Sequence, residues 1–179
     1  RITAYIRQSL QDIYPPEEVK ALSMLICCDM LGVDALDIYM GKDIILSACK
    51  QRELENIIFR LQKNEPIQYI RGYAEFCGRN FRVAPGVLIP RPETAELVDL
   101  IVKENPDARR LLDIGTGSGC IAISLDKNLP DAKVDAWDIS EEALAIARKN
   151  NEELDAQVTF RRQDVFSADG IQGTSYDII

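Results

Sequence analysis

Leu111–Cys120 reads LLDIGTGSGC, an apolar run and an acid followed by glycines at 115, 117 and 119. Few folds accommodate such a segment. Leu111, Leu112 and Ile114 suit a short buried strand, and Gly115 stops it. A helix is expected to start near Ser118 and to turn Ile121, Ala122, Ile123 and Leu125 inward. Between the two, alternate glycines leave backbone uncovered by side chains. That permits a tight turn and the close approach of a ligand. In a parallel α/β sheet, the carboxyl end of the first strand is where a nucleotide-like cofactor sits. The chain therefore reads as a cofactor-dependent enzyme, or a piece of one.

Two cofactor classes compete for the loop. The dinucleotide fingerprint G-x-G-x-x-G needs a third glycine where this chain has Cys120. The observed G-x-G-x-G, with Asp113 two residues before it, resembles the first motif of Rossmann-like S-adenosylmethionine methyltransferases. A second strand, Lys133 to Asp138, ends in an acid about 20 residues past the glycines, where a carboxylate accepts from ribose hydroxyls. Both cofactors carry a ribose, so Asp138 supports the site without choosing between them. Ser140 can cap the helix that follows, with Glu141 and Glu142 in its first turn. A third strand is expected from about Gln157 to Asp164. A strand-end turn is the plain alternative for Asp164.

Composition narrows the class. The 179 residues suit one or two domains, and 46% hydrophobic residues suffice for a core. Twenty-nine acids against 21 bases give a formal net charge of −8, which is no broad nucleic-acid footprint. The chain has five cysteines, no C-x-x-C and no histidine, which argues against a metal site and a disulfide framework. No segment reads as a signal peptide or a membrane span, so a cytoplasmic protein is expected.

The organisation is bipartite. From Ile2 to about Asn64 the apolar residues follow helical spacing. Pro15-Pro16 opens a helix with Glu17 and Glu18 in its first turn, and Gly32 can end it. A short helix is expected over Ala35 to Met40. Another starts near Ser47 and stops at Asn64-Glu65-Pro66. Tyr69 to Val83 is rich in aromatic and β-branched residues around Cys77-Gly78, which suggests a hairpin. VAPGVLIPRPET follows, and a helix starting at Thr94 or a neighbour runs to Asn105-Pro106.

EPIQYIRG (Glu65 to Gly72), the aromatic hairpin, and VLIPRPET (Val87 to Thr94) just before LLDIGTGSGC together resemble the release factor glutamine methyltransferases, the PrmC/HemK family. The resemblance runs through essentially the whole chain. It implies an amino-terminal helical domain (1–65), a hairpin and proline-rich linker (66–92), and the first part of a Rossmann-like α/β methyltransferase domain (93–179). It implies S-adenosylmethionine as cofactor and, as substrate, the glutamine amide of the Gly-Gly-Gln motif of peptide chain release factors. Gly115, Thr116, Gly117, Ser118 and Gly119 would cradle the methionine part. Asp138 would hold the ribose, Asp164 would meet the adenine amino group, and Val165 would pack on the ring. Pro90, Arg91 and Pro92 would edge the substrate site. The helical domain would either dock the substrate or cap the fold, and a monomer is favoured.

The family's Asn-Pro-Pro-Tyr signature is expected after a fourth strand, read here as Tyr176 to Ile179. The chain is thus expected to be a fragment, with its catalytic residues beyond Ile179. A non-enzymatic binding module stays open for the chain as it stands, and so do two other enzymatic readings. One is an adenine-N6 nucleic-acid methyltransferase, which shares that type of motif. The other is a nicotinamide-dependent oxidoreductase, against which Cys120 argues.

Overall fold

A computed structural model describes residues 1–167 and 175–179. The chain divides into two compact units, Arg1–Arg71 and Gly72–Ile179.

The first unit is helical. It contains α1 (Ile2–Leu10), α2 (Pro16–Met24), a π-helical turn (Leu25–Met30), α3 (Ala35–Tyr39), α4 (Ala48–Gln62) and α5 (Ile67–Arg71). Caps explain several of the starts. Pro16 stands at the opening of α2 with Glu17 and Glu18 behind it. The Asp34 carboxylate accepts from the Leu36 N–H at 2.8 Å, and the Ser47 hydroxyl from the Lys50 N–H at 3.3 Å. Ile6, Leu10, Ile26, Leu31, Leu54 and Leu61 form the centre of this unit's own core. The expected helix after Pro16 carries a change of pitch. Its last turn widens over Leu25–Met30, and Leu31 N–H reaches back five residues to the Ile26 carbonyl. The apolar spacing stays helical through this turn, so it leaves no sequence mark.

The second unit opens with an antiparallel hairpin, β1 (Tyr73–Phe76) and β2 (Arg79–Arg82), in the register Phe76↔Arg79. Cys77 (φ 48°) and Gly78 (φ 68°) make its two-residue turn. Both angles are positive, as the favoured hairpin turn requires. Phe76 and Phe81 meet edge to face, with centroids 6.0 Å apart.

Then follow α6 (Pro92–Glu104), β3 (Arg110–Ile114), α7 (Cys120–Asn128), β4 (Lys133–Asp138), α8 (Glu141–Glu153) and β5 (Thr159–Arg162). The three strands are parallel, in the order β3-β4-β5. Such pairing needs helical crossovers, and α7 and α8 supply them. The core gathers Val98, Leu111, Ala122, Ile123, Val134 and Ala136.

Three boundaries differ from expectation. The helix after the glycine loop begins at Cys120, because Gly119 takes a left-handed conformation (φ 80°) and stands as its cap. The strand expected to reach Asp164 stops at Arg162, since the Asp164 carboxylate turns the chain by accepting from the Phe166 N–H at 2.9 Å. Tyr176 to Ile179 makes a single bridge rather than a strand. Ile178 pairs parallel with Leu111, on the side of β3 away from β4. The Asp177 carboxylate anchors that bridge by accepting from the N–H groups of Arg109 and Arg110, at 2.7 and 2.9 Å.

Candidate functional site

The chain leaves β3 for β4 and β5 on one side, and returns to β3's other side at Ile178. The end of β3 is therefore a point where strand order reverses. In open α/β sheets, that is where ligands bind. The glycine loop lies there.

Backbone hydrogen bonds hold the loop to the end of β4. The Gly115 and Thr116 N–H groups both donate to the Trp137 carbonyl, at 2.8 and 3.0 Å. The Gly117 N–H donates to Asp138 Oδ2 at 2.9 Å. The Gly119 N–H closes the turn onto the Thr116 carbonyl at 2.9 Å. Gly115, Gly117 and Gly119 all have positive φ (78°, 56° and 80°), which residues with a Cβ adopt at a cost.

Their surroundings differ. A Cβ added at Gly115 or Gly117 would meet nothing within 4 Å. One added at Gly119 would come within 3.1 Å of Ile123, 3.2 Å of Ala147 and 3.4 Å of Phe160. Gly119 is thus small for internal packing. Gly115 and Gly117 face open space beside polar backbone.

Asp138 is half-buried, and its carboxylate ties two segments together. Oδ2 holds Gly117, and Oδ1 accepts from the Ser140 N–H at 2.9 Å. A carboxylate has about four acceptor positions, of which these bonds take two among the described residues. Ser140 accepts in turn from the Ala143 N–H at 3.2 Å and caps α8. Asp113 lies at the other side of the loop, where its Oδ2 accepts from the Thr116 hydroxyl at 2.7 Å. Burial pushes the Asp113 carboxyl above its ordinary value. The Thr116 hydroxyl and the Ala122 N–H pull it back, and the charge of Asp138 pushes it up again. Burial also pushes the Cys120 thiol up to about 11, so it stays protonated at neutral pH and supplies no nucleophile.

The end of β5 joins the same edge. The Gln163 N–H donates to the Asp138 carbonyl at 3.0 Å. Asp164 and Val165 follow, both exposed. Ile139, 63% exposed directly after Asp138, adds an apolar side chain there. Its place beside the strand-end acid was the available sequence signal, unread because an isoleucine at that point looks like core. The loop, Asp138 and the Asp164 turn therefore meet at the carboxyl ends of three adjacent strands. Pro90 is half-buried before α6; Arg91 and Pro92 are exposed, and the Arg91 carbonyl accepts from the Thr94 N–H at 3.1 Å. Among the described residues, no cluster of histidine, cysteine, aspartate or glutamate could hold a metal ion.

The arrangement fits a nucleotide-like ligand. Open space lies beside Gly115 and Gly117, the Asp138 carboxylate faces the loop, and Ile139 and Val165 stand exposed at the same edge. Such a site is shaped to bind and orient a ligand.

Residues 2–72 match the PrmC N-terminal domain, and residues 93–179 match the methyltransferase small domain. Curated relatives named release factor glutamine methyltransferase include that of Flavobacterium psychrophilum, 38% identical over 177 residues, 96% of this chain and 62% of the relative. The Koribacter versatilis relative is 48% identical, over 77% of this chain and 50% of its own length. That of Lactococcus lactis subsp. lactis is 50% identical, over 70% of this chain and 46% of its own length. The chain thus spans about half of the curated relatives it matches.

Proposed function

The chain belongs to the release factor glutamine methyltransferase family, and from that membership we propose that it contributes the cofactor site of an enzyme that methylates the glutamine side-chain amide in the Gly-Gly-Gln motif of peptide chain release factors. The observation that carries the reading is the bond from the Gly117 N–H to Asp138 Oδ2, which joins the open glycine loop to a strand-end acid at the reversal of strand order.

S-adenosylmethionine fits the site and supplies, when bound, a methyl group already activated on a sulfonium. Gly115 to Gly119 would receive its methionine part, with Gly115 and Gly117 giving the open backbone. Asp138 would accept from the ribose hydroxyls. Asp164 would meet the adenine amino group, and Val165 and Ile139 would contact the ring. Pro90, Arg91 and Pro92 would edge the place of the incoming amide. Methyl transfer of this kind rests on orienting donor and acceptor in line, which the scaffold supplies by holding both. A histidine base is not required, and the chain has none. Among the described residues no helix is long and apolar enough to cross a membrane. We place the enzyme in the cytoplasm, as a monomer acting on a protein rather than on nucleic acid.

The test is transfer of labelled methyl from S-adenosylmethionine by the full product of the gene encoding this chain. Purified release factor should be labelled, and a version with the motif glutamine replaced should not. Labelling of adenine in DNA, with none in release factor, would instead establish the adenine-N6 reading.

A further inference from the structure

A buried asparagine joins three parts of the second unit that lie far apart in sequence. Asn150 on α8 is 1% exposed. Its Oδ1 accepts from the Arg82 N–H at 2.7 Å. Its Nδ2 donates to the Arg82 carbonyl at 3.1 Å and to the Ser118 carbonyl at 2.8 Å. The amide has one workable orientation, because a backbone N–H only donates and a carbonyl only accepts. Asn150 therefore pairs with β2 as a neighbouring strand would, and the same side chain reaches the glycine loop.

Ser118 stands between two glycines with φ of 56° and 80°. Such a segment has wide conformational freedom, and each bond that fixes a peptide plane narrows it. Asp138 fixes the loop from the sheet side through the Gly117 N–H. Asn150 fixes it from the helix side through the Ser118 carbonyl.

We propose that Asn150 is a positioning residue, which holds the glycine loop in its receiving shape and makes that shape depend on the seating of the β1–β2 hairpin. The consequence for ligand binding rests on the cofactor reading above. The hairpin is then part of the machinery that shapes the cofactor loop.

The test uses this chain, residue-resolved amide exchange and calorimetric titration with S-adenosylhomocysteine. Asn150→Ala should speed exchange at Arg82, Gly117 and Gly119 and weaken binding about tenfold, the scale of one lost hydrogen bond to a buried carbonyl. Leu129→Ala is the control for general destabilisation. Leu129 is buried at the far end of α7, and its loss should lower Tm while sparing loop exchange and affinity. Asn150→Asp keeps the acceptor for the Arg82 N–H and loses the Nδ2 donor to both the Arg82 and Ser118 carbonyls, so the Arg82 N–H should stay better protected than in Asn150→Ala while the loop loosens. Unchanged loop exchange in Asn150→Ala, or equal losses in Leu129→Ala at matched Tm, would overturn the proposal. Should Asn150→Ala fail to fold, Asn150→Asp decides alone, and equal loosening at Arg82 and the loop would overturn it. If the wild-type chain binds no S-adenosylhomocysteine, the cofactor reading fails, and the exchange comparison still decides the role of Asn150.

Discussion

Asp138 commits both carboxylate oxygens to backbone N–H groups, those of Gly117 and Ser140, before any ligand arrives. Replacing it therefore does two things. Asp138→Ala should weaken S-adenosylhomocysteine binding by about 1.5–3 kcal/mol, the scale of a hydrogen bond to a charged group, and should also lower Tm by freeing two N–H groups. Calorimetry with a parallel melt checks both; loss of neither would contradict the role. The glycines can be separated in the same way. Gly119→Ala meets three side chains and a left-handed φ, and should cost about 1–3 kcal/mol in urea denaturation beyond Gly117→Ala. Gly117→Ala meets only the conformational cost, of order 1 kcal/mol. Equal losses would mean that packing at Gly119 is not what the structure shows. The positions of Asp113 and the glycines follow from spacing along one strand–loop–helix segment, and that of Asp138 from the end of the next strand. The place of Asn150 was not legible in the sequence. In ARKNNEE it looks like a polar helix surface, and its burial comes from a hairpin 68 residues earlier.

At the scale of elements, ends carry the specificity. Ser140→Ala removes the α8 cap and should cost about 1 kcal/mol by chemical denaturation; no change would mean that Asp138, through Ser140 N–H, suffices to start the helix. The bridge beside β3 depends on Asp177. Its carboxyl is held below the ordinary value chiefly by the Arg109 and Arg110 N–H groups. A depressed acid stabilises the fold above its unfolded pKa, and that stability is lost as pH falls through the folded pKa. From about pH 4 downward, the wild type should therefore lose more stability than Asp177→Asn. Melts across that range check it, and parallel curves would contradict it. Helix starts were readable from Pro16, Ser47 and Ser140, because caps are local chemistry. The five-residue α5 and the π-helical turn were not, since both depend on what packs around them. Tyr176 to Ile179 read as a strand by its residues, but among the described residues it meets β3 in a single bridge at Ile178, beside the bond from the Asp177 N–H to the Arg110 carbonyl.

The molecule as a whole is two units with separate cores. The change of pattern at Asn64-Glu65-Pro66 showed two kinds of structure from sequence alone. The compact units divide one short helix later, because Ile67 and Ile70 of α5 pack on the helical core. A chain of residues 1–71 should fold alone, with helical circular dichroism and a cooperative melt, although a unit of this size is marginal. A non-cooperative melt would mean that its core needs the rest of the molecule. The central claim belongs to the second unit, that its glycine loop and Asp138 form a site for S-adenosylmethionine. Calorimetric titration of this chain and of Asp138→Ala with S-adenosylhomocysteine and with NAD tests it most directly. S-adenosylhomocysteine should bind, NAD should bind more weakly or not at all, and Asp138→Ala should show a clear loss. Tighter binding of NAD, or an affinity for S-adenosylhomocysteine that Asp138→Ala leaves unchanged, would contradict it.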